Sequence, residues 1–480
     1  MEYEVLNEQI VIPKTVFFGC GGLGHIMLDL WKTFHVRPEY FCDNNSKLWD
    51  TYVNGIKVIR PEIITGNSLS VFITTTHTED VYGQLILNKV ERNGIKETAY
   101  PLYAENLKMI ADAIPCQQKE KCSLSNDLVY FDLNCGMVLG GVEQWSYKTG
   151  DYLKGFGRNI KYIVPFMEPI PEHNIQEREI VVIGSPKEND AKISVFMDAV
   201  KLFSSGVITV ICNFPFEVFQ AAAFAKKKKN PLLKIIAVVH CDEELYYSVY
   251  GVWHECVDLF VVISKRIRER LMSCSIPENK IKYMTWDFDF PERNKKYSST
   301  SEPIRIGYAG RITVRQKRAD LFKYLIQGLK KKNIDFRFEI AGDGDYREEL
   351  DSWIKNNGIE EAICVGSIAH DKIYDFWNDK DVFLSVSEWE GHSISQVEAM
   401  AMGTVPVVTD VSGVEDDITD GSNGFVVDVG DVDAIIGRIE ILSRDRMLLK
   451  KMGKRSKESV ATKSICSSET EMWKELMRDV

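Results

Sequence analysis

No stretch of this chain approaches the ~18 consecutive apolar residues that cross a bilayer, and Met1-Glu-Tyr-Glu-Val5 lacks the basic-then-apolar order of a secretory signal. These absences point to a cytoplasmic protein and leave peripheral contact with the inner face of a membrane open. No C-x-x-C pair occurs, and the eleven cysteines are odd in number and scattered. That pattern disfavours a disulfide framework and reads as free thiols, most of them small core residues, in a reducing compartment. Positive charge is in deficit, with 59 Lys and Arg against 70 Asp and Glu, a net of −11. Nucleic acid is therefore not expected as a partner, since its binding would need a localised basic patch. Short-period repeats and low-complexity tracts are also missing.

What is present is apolar material for several cores. With 45% hydrophobic residues in 480 positions, long disorder is disfavoured and about three domains of roughly 150 residues are expected. The chain opens with the apolar strand Val16-Phe-Phe18, the loop Gly19-Cys-Gly21-Gly22-Leu-Gly24, an amphipathic stretch from His25 to Phe34, and a second strand Tyr40-Phe-Cys42 ending on Asp43-Asn-Asn45. This strand, glycine loop, helix, strand, acid order fits a dinucleotide-type fold over residues 1–115. There Gly19, Gly21 and Gly24 would admit phosphate and Asp43 would meet ribose hydroxyls. A second unit, 126–290, carries Gly140-Gly141 and apolar runs at 180–183, 207–211, 235–239 and 259–263, the signature of a parallel sheet between helices. Residues 291–303 are polar and read as a linker. The pattern resumes over 303–460, and 461–480 read as a C-terminal helix that could cross back to the middle unit.

The chemistry concentrates in the third unit. Glu390-Gly-His-Ser-Ile-Ser-Gln-Val-Glu398 places one carboxylate in a Gly-containing loop and a second inside a helix that continues as Ala-Met-Ala-Met-Gly403. Two such acids read hydroxyls, and the helix start between them suits phosphate. A sugar nucleotide has hydroxyls at both ends and a diphosphate in the middle. Gly310-Arg311 follows a strand and Lys317 comes six residues later. At the C-terminal edge of a strand, such cations can converge on one anion; alone they could equally be exposed charges.

Gly140-Gly141, His240, Gly310-Arg311, Lys317, Gly342-Asp-Gly344, Ser387 and the Glu390/Glu398 pair occur in one order. In these features residues 129–460 resemble the retaining glycosyltransferases of family four. The resemblance implies a GT-B pair of Rossmann-like domains, so that the fold class is α/β with an additional N-terminal Rossmann-like domain. It further implies that Glu398 receives the nucleotide ribose and Glu390 the donor sugar. Arg311 and Lys317 would neutralise the departing diphosphate, aided by backbone N–H groups around His392, Ser393, Ile394 and Ser395. His240 would help hold the sugar, while Gly140, Gly141 and Gly310 would admit the phosphates. The chain departs from the family at Thr285-Trp-Asp-Phe-Asp289, in the Arg311–Lys317 spacing, and at His392-Ser393, where an aromatic-glycine pair is usual. The N-terminal unit resembles nucleotide-sugar-binding or NAD-like domains of bacterial polysaccharide enzymes, with its ligand open.

Asp343-Gly-Asp345 and Asp431-Val-Asp433 have a metal-binding spacing but read as a turn and a helix start, so neither a metal nor a cofactor is expected. Lys226 to Lys229 end a helix and read as a solvated face or, more sharply, as a patch for anionic lipid. The function these features imply is a metal-independent, retaining hexosyltransferase. It would move sugar from a nucleotide-diphosphate donor to a carbohydrate or lipid-linked glycan acceptor in cell-surface polysaccharide synthesis. A catalytically silent subunit binding a partner enzyme or glycan, and an NAD-linked enzyme using the first unit, stand as alternatives.

Overall fold

Continuous apolar runs become strands buried on both faces, as parallel pairing between helices requires. The computed structural model describes residues 5–6, 9–65, 69–75, 77–90, 95–96, 104–114, 128–133, 141–166, 178–185, 191–284, 290–369, 372–461, 472–473 and 475. The chain divides into two compact units, residues 1–237 with 248–258, and residues 238–247 with 259–480.

The first unit opens with strands β1 (Val5–Leu6), β2 (Gln9–Phe18), β3 (Val36–Cys42), β4 (Tyr52–Val53), β5 (Ile56–Ile59), β6 (Ser70–Ile73) and β7 (Ile95–Lys96). They lie in the order β4-β5-β3-β2-β6-β7, with β1 antiparallel to β2 off that path. β2 is longer than its apolar segment suggests. A register shift between Ile12 and Val16, with Lys14 at φ 62, lets two short runs pair with β3 as one bent strand. Phe17 packs edge-on against Trp31, Phe41 and Phe72. The buried Trp31 indole donates to Asn106 Oδ1 at 2.7 Å, which ties the helix Ala104–Ala113 to this core.

The same unit holds β8 (Leu128–Asp132), β9 (Asn159–Pro165), β10 (Glu179–Ile183), β11 (Ile208–Cys212) and β12 (Lys234–Val239), in the order β10-β9-β8-β11-β12. Every pair among them is parallel.

The lysine run takes a different role from either sequence reading. Lys226 pairs with Asp258, Lys227 lies 2.5 Å from Asp112, and Lys228 Nζ donates to the Ile114 carbonyl at 2.9 Å. The Phe224 ring on the same helix, Glu217–Lys228, sits 4.7 Å from that of Phe34. The alanine-rich helix is thus buried against Ala104–Ala113, and its terminal cations are consumed by an acid and a helix-end carbonyl of the N-terminal lobe. They form neither a solvated face nor a free cationic patch.

In the second unit, β13 (Leu259–Val262) pairs in parallel with β14 (Ile281–Tyr283). A further sheet contains β15 (Ile304–Ala309), β16 (Phe336–Ala341), β17 (Ala362–Gly366), β18 (Val382–Ser385), β19 (Val405–Thr409) and β20 (Phe425–Val427). All are parallel, in the order β17-β16-β15-β18-β19-β20. The direction of winding reverses between β15 and β18. Loops leaving those two strands therefore flank the crevice where open α/β sheets take ligands.

The segment read as a polar linker is anchored to this sheet. Asp381, fully buried, accepts from Ser298 N at 3.0 Å, Ser298 Oγ at 2.6 Å and Arg305 N at 2.9 Å. Burial pushes its carboxyl up, but bonds from Arg305 and Ser298 outweigh that and hold it below the ordinary aspartate value. The helix Arg446–Ala461 packs on the same lobe, and Glu475, farther along the chain, pairs with Lys282 of β14 at 2.9 Å. Among the described residues, no helix is long and apolar enough to cross a membrane.

Candidate active site

The loop after β15 is shaped by close backbone approach. A Cβ on Gly342, at φ +129, would lie 1.9 Å from the Gly310 carbonyl oxygen, and one on Gly344 would lie 2.4 Å from that of Ile312. The Gly342-Asp-Gly344 turn therefore exists to let two loops touch. Asp343 accepts from its neighbour Gly344 N at 2.9 Å, which is a turn contact. Tyr308 OH donates to the Arg311 carbonyl at 2.5 Å and fixes where that arginine starts.

From there the side chains converge. Exposed Arg311 donates from Nη2 to Gln316 Oε1 at 2.6 Å. Gln316 Nε2 donates to the Trp389 carbonyl at 3.1 Å and reaches Glu390 Oε2 at 3.5 Å. Lys317 Nζ lies 2.5 Å from Glu390 Oε1, and Ser387 Oγ donates to the same oxygen at 2.6 Å. Glu390 is 7% exposed, so its carboxyl group meets a lysine, a hydroxyl and an amide rather than water. Arg311, Lys317 and Glu390, singled out from sequence, thus meet in one network. Gln316, which joins them, was not singled out; only its place between the two cations marks it.

His240 directly follows the last residue of β12 and belongs, like Glu390, to the second unit. A Cβ on Gly391 would lie 2.0 Å from the His240 carbonyl oxygen, so glycine is required for the Glu390 loop to pass. Asp242 N donates to the Glu390 carbonyl at 3.1 Å and completes that join. Burial lowers the His240 imidazole to about 3, leaving it neutral at physiological pH.

The helix Ile394–Ala401 starts at Ser393, whose side chain accepts from Gln396 N at 3.4 Å. Ile394 and Ser395, in its first turn, are partly exposed. The His392 ring points elsewhere: Nε2 lies 2.7 Å from Asp417 Oδ2, which also accepts from Gln396 Nε2 at 3.0 Å. The His392 side chain is thus taken up within the lobe, and its backbone lies just before the helix start. Glu398 differs from Glu390 in environment. It is 5% exposed, and burial pushes its carboxyl up to about 7, opposed by the Trp377 side chain.

The remaining sites vary. Gly140 lies outside the described residues, and Gly141 is the exposed first residue of the helix Gly141–Lys154. In the N-terminal loop, Gly19 at φ +122 and Gly24 are crowded, since a Cβ on each would meet Thr74 O at 2.7 Å and Gly19 O at 2.2 Å. Gly21 precedes the helix Gly22–Thr33 in open space. Asp43 is already engaged, with Oδ2 accepting from Cys20 N at 2.8 Å and Oδ1 from Asn45 N at 2.9 Å. Asp431 caps the helix Val432–Arg444 through Ala434 N at 2.9 Å. Among the described residues, no group of three or more His, Cys, Asp or Glu is placed to hold a metal, and Cys20, Cys42, Cys212, Cys241, Cys256, Cys274 and Cys364 are free thiols.

Residues 289–459 match the family described as glycosyl transferases group 1. Sulfoquinovosyl transferase SQD2 of Arabidopsis thaliana is 26% identical over 268 residues, 50% of this chain and 50% of the relative. The capsular polysaccharide biosynthesis glycosyltransferase CapM of Staphylococcus aureus is 25% identical over 239 residues, 46% of this chain and 60% of the relative. The chain thus spans about half the length of the curated relatives it matches. The crystal structure of HepE from Anabaena with UDP and glucose aligns at a TM-score of 0.59 and 15% identity, covering 73% of this chain and 99% of HepE, a likeness of fold. The lobe that brings Arg311, Lys317 and Glu390 together is the part of the chain that matches the glycosyl transferases group 1 model, within a chain that shares the fold of the GT-B glycosyltransferases.

Proposed function

We propose that this protein is a retaining, metal-independent glycosyltransferase. It moves a sugar from a nucleotide-diphosphate donor to a carbohydrate or lipid-linked glycan acceptor in cell-surface polysaccharide synthesis. The observation that carries this reading is the buried Glu390 held at 2.5 Å by Lys317, beside Arg311 and Gln316, at the winding reversal of the β15–β20 sheet. The Anabaena neighbour, which was crystallised with UDP and glucose, and the capsular-polysaccharide relative support the donor and acceptor classes.

In this mechanism Glu390 accepts hydrogen bonds from hydroxyls of the donor sugar while Lys317 and Arg311 take the charge that develops on the diphosphate. Two cations placed in advance do this work without reorganisation at the moment of bond breaking. Because Glu390 is committed to Lys317 and Ser387, it is not poised as a nucleophile. Departure and attack then occur on one face, assisted by positioning. Buried Glu398 receives the ribose hydroxyls, and neutral His240 helps hold the sugar.

Incubation with a panel of UDP-, GDP- and dTDP-sugars and glycan acceptors should give transfer, or slow donor hydrolysis, that EDTA does not suppress. The product's anomeric proton coupling should match the donor's. Absence of both transfer and hydrolysis across the panel would leave the silent-subunit alternative; an inverted product would sink the retaining mechanism.

A further inference from the structure

Beside the Lys317–Glu390 pair lies a second feature that the donor chemistry does not use. An open cavity of about 610 Å³ is bounded by Trp389 and Val314, by the carboxylates of Asp242, Glu243, Glu244 and Glu388, and by the guanidinium groups of Arg315 and Arg318. All of these residues belong to the second unit. We propose that this cavity is an acceptor subsite that seats one neutral sugar ring on the indole of Trp389. This deepens the glycosyltransferase reading of the adjoining site and rests on it.

The chemistry of the walls makes the case. A pyranose ring offers an apolar C–H face and a rim of hydroxyls that both donate and accept. An aromatic ring flanked by carboxylates and guanidinium groups is complementary to both. The Trp389 backbone carbonyl accepts from Gln316 Nε2 at 3.1 Å, and the residue is partly exposed. The Arg315 guanidinium lies 5.6 Å from the ring centroid and pairs with Glu243 at 2.6 Å. That arginine is 81% exposed, and an ion pair so solvated is worth little, so an arriving ring can displace it. Arg318 and Glu388, 2.6 Å apart, form another charged pair on the cavity wall.

Charge and volume narrow the ligand. Four acids face two arginines on the walls, and Arg270 pairs with both Asp242 and Glu244, which leaves one net negative charge and opposes a polyanionic acceptor. The volume falls within the ~300–1,000 Å³ of small-ligand clefts. Position gives the subsite its use. Trp389 immediately precedes Glu390, and Gln316 touches both, so a ring stacked here brings its hydroxyl up to the donor sugar.

The test uses the full chain and ligand-observed saturation-transfer NMR, with methyl glucosides, galactosides and N-acetylglucosaminides as neutral probes and ribitol 5-phosphate as the anionic one. UDP thermal shift on every variant reads the donor site separately. The wild type should show saturation on ring C–H protons of at least one neutral probe at millimolar concentration and none on ribitol 5-phosphate. Trp389→Ala should weaken that binding about tenfold or more, Trp389→Phe should retain most of it, and the UDP shift should stay intact. If Trp389→Ala fails to fold, Trp389→Leu, which keeps apolar bulk without the aromatic face, should show the loss instead. No neutral probe bound by the wild type, unchanged binding in these variants, or a preference for ribitol 5-phosphate would overturn the subsite. Absence of a UDP shift in the wild type would instead undercut the donor reading and leave the probe result standing.

Discussion

Two loops in this protein share a plan and differ in what satisfies their acid. In the N-terminal lobe, Asp43 at the end of β3 gives both carboxylate oxygens to backbone N–H groups of its own surroundings, Cys20 and Asn45. In the C-terminal lobe, Glu390 after β18 is met by side chains: Lys317, Ser387 and Gln316. Backbone donors cannot leave without unmaking the loop. Side-chain donors can turn from the acid to a ligand without unmaking the loop. An acid of the first kind locks a fold, and one of the second kind is available for chemistry.

Three substitutions press on that difference. The largest effect is expected from Lys317→Ala, which removes a preorganised cation and should lower kcat by ~100–1,000-fold, about 2.7–4 kcal/mol of barrier, and should also lower Tm, since buried Glu390 loses its lysine. Activity within threefold of the parent would place Glu390 in the same structural class as Asp43.

Next is Glu398, an acid with neither kind of strong partner, whose carboxyl burial raises from 4.5 to about 7. A raised folded-state value means stability is greatest below the unfolded value and is lost as pH rises through 7, on the order of 3 kcal/mol in all. Glu398→Gln should therefore melt above the parent at pH 8, match it near pH 4, and bind donor more weakly. Equal melting at pH 8 would show that the parent carboxylate ionises there with a partner.

The smallest of the three is Asp43→Ala, expected to cost ~1–3 kcal/mol of stability through two lost charge-assisted bonds and to appear as a fall in Tm. Lost activity with an unchanged Tm would make Asp43 a ligand group and erase the contrast.

Much of this was legible before any coordinates. The runs at 207–211, 235–239, 382–384 and 405–409 are largely apolar over strand length and fall in buried parallel strands, the first displaced by one residue, because burial on both faces leaves no room for alternation. The glycines at 342 and 344 announced a turn, and the Glu390–Glu398 segment a loop running into a helix. The role of Gln316 was not legible, since a glutamine in a polar loop carries no local signal. The destination of the His392 ring was hidden too, because its partner Asp417 is 25 positions away. The lysine run misled because three adjacent cations look alike whether water or Asp112, Ile114 and Asp258 receive them.

Strand identity, the glycine turns and the polar residues that stand at the strand ends follow from the order of amino acids, since each depends on side-chain polarity and backbone freedom within a few neighbours. Which acid meets which cation was settled only when β15 and β18 came to lie side by side. Lys317 and Glu390 are 73 positions apart, and strand order alone brings them within 2.5 Å.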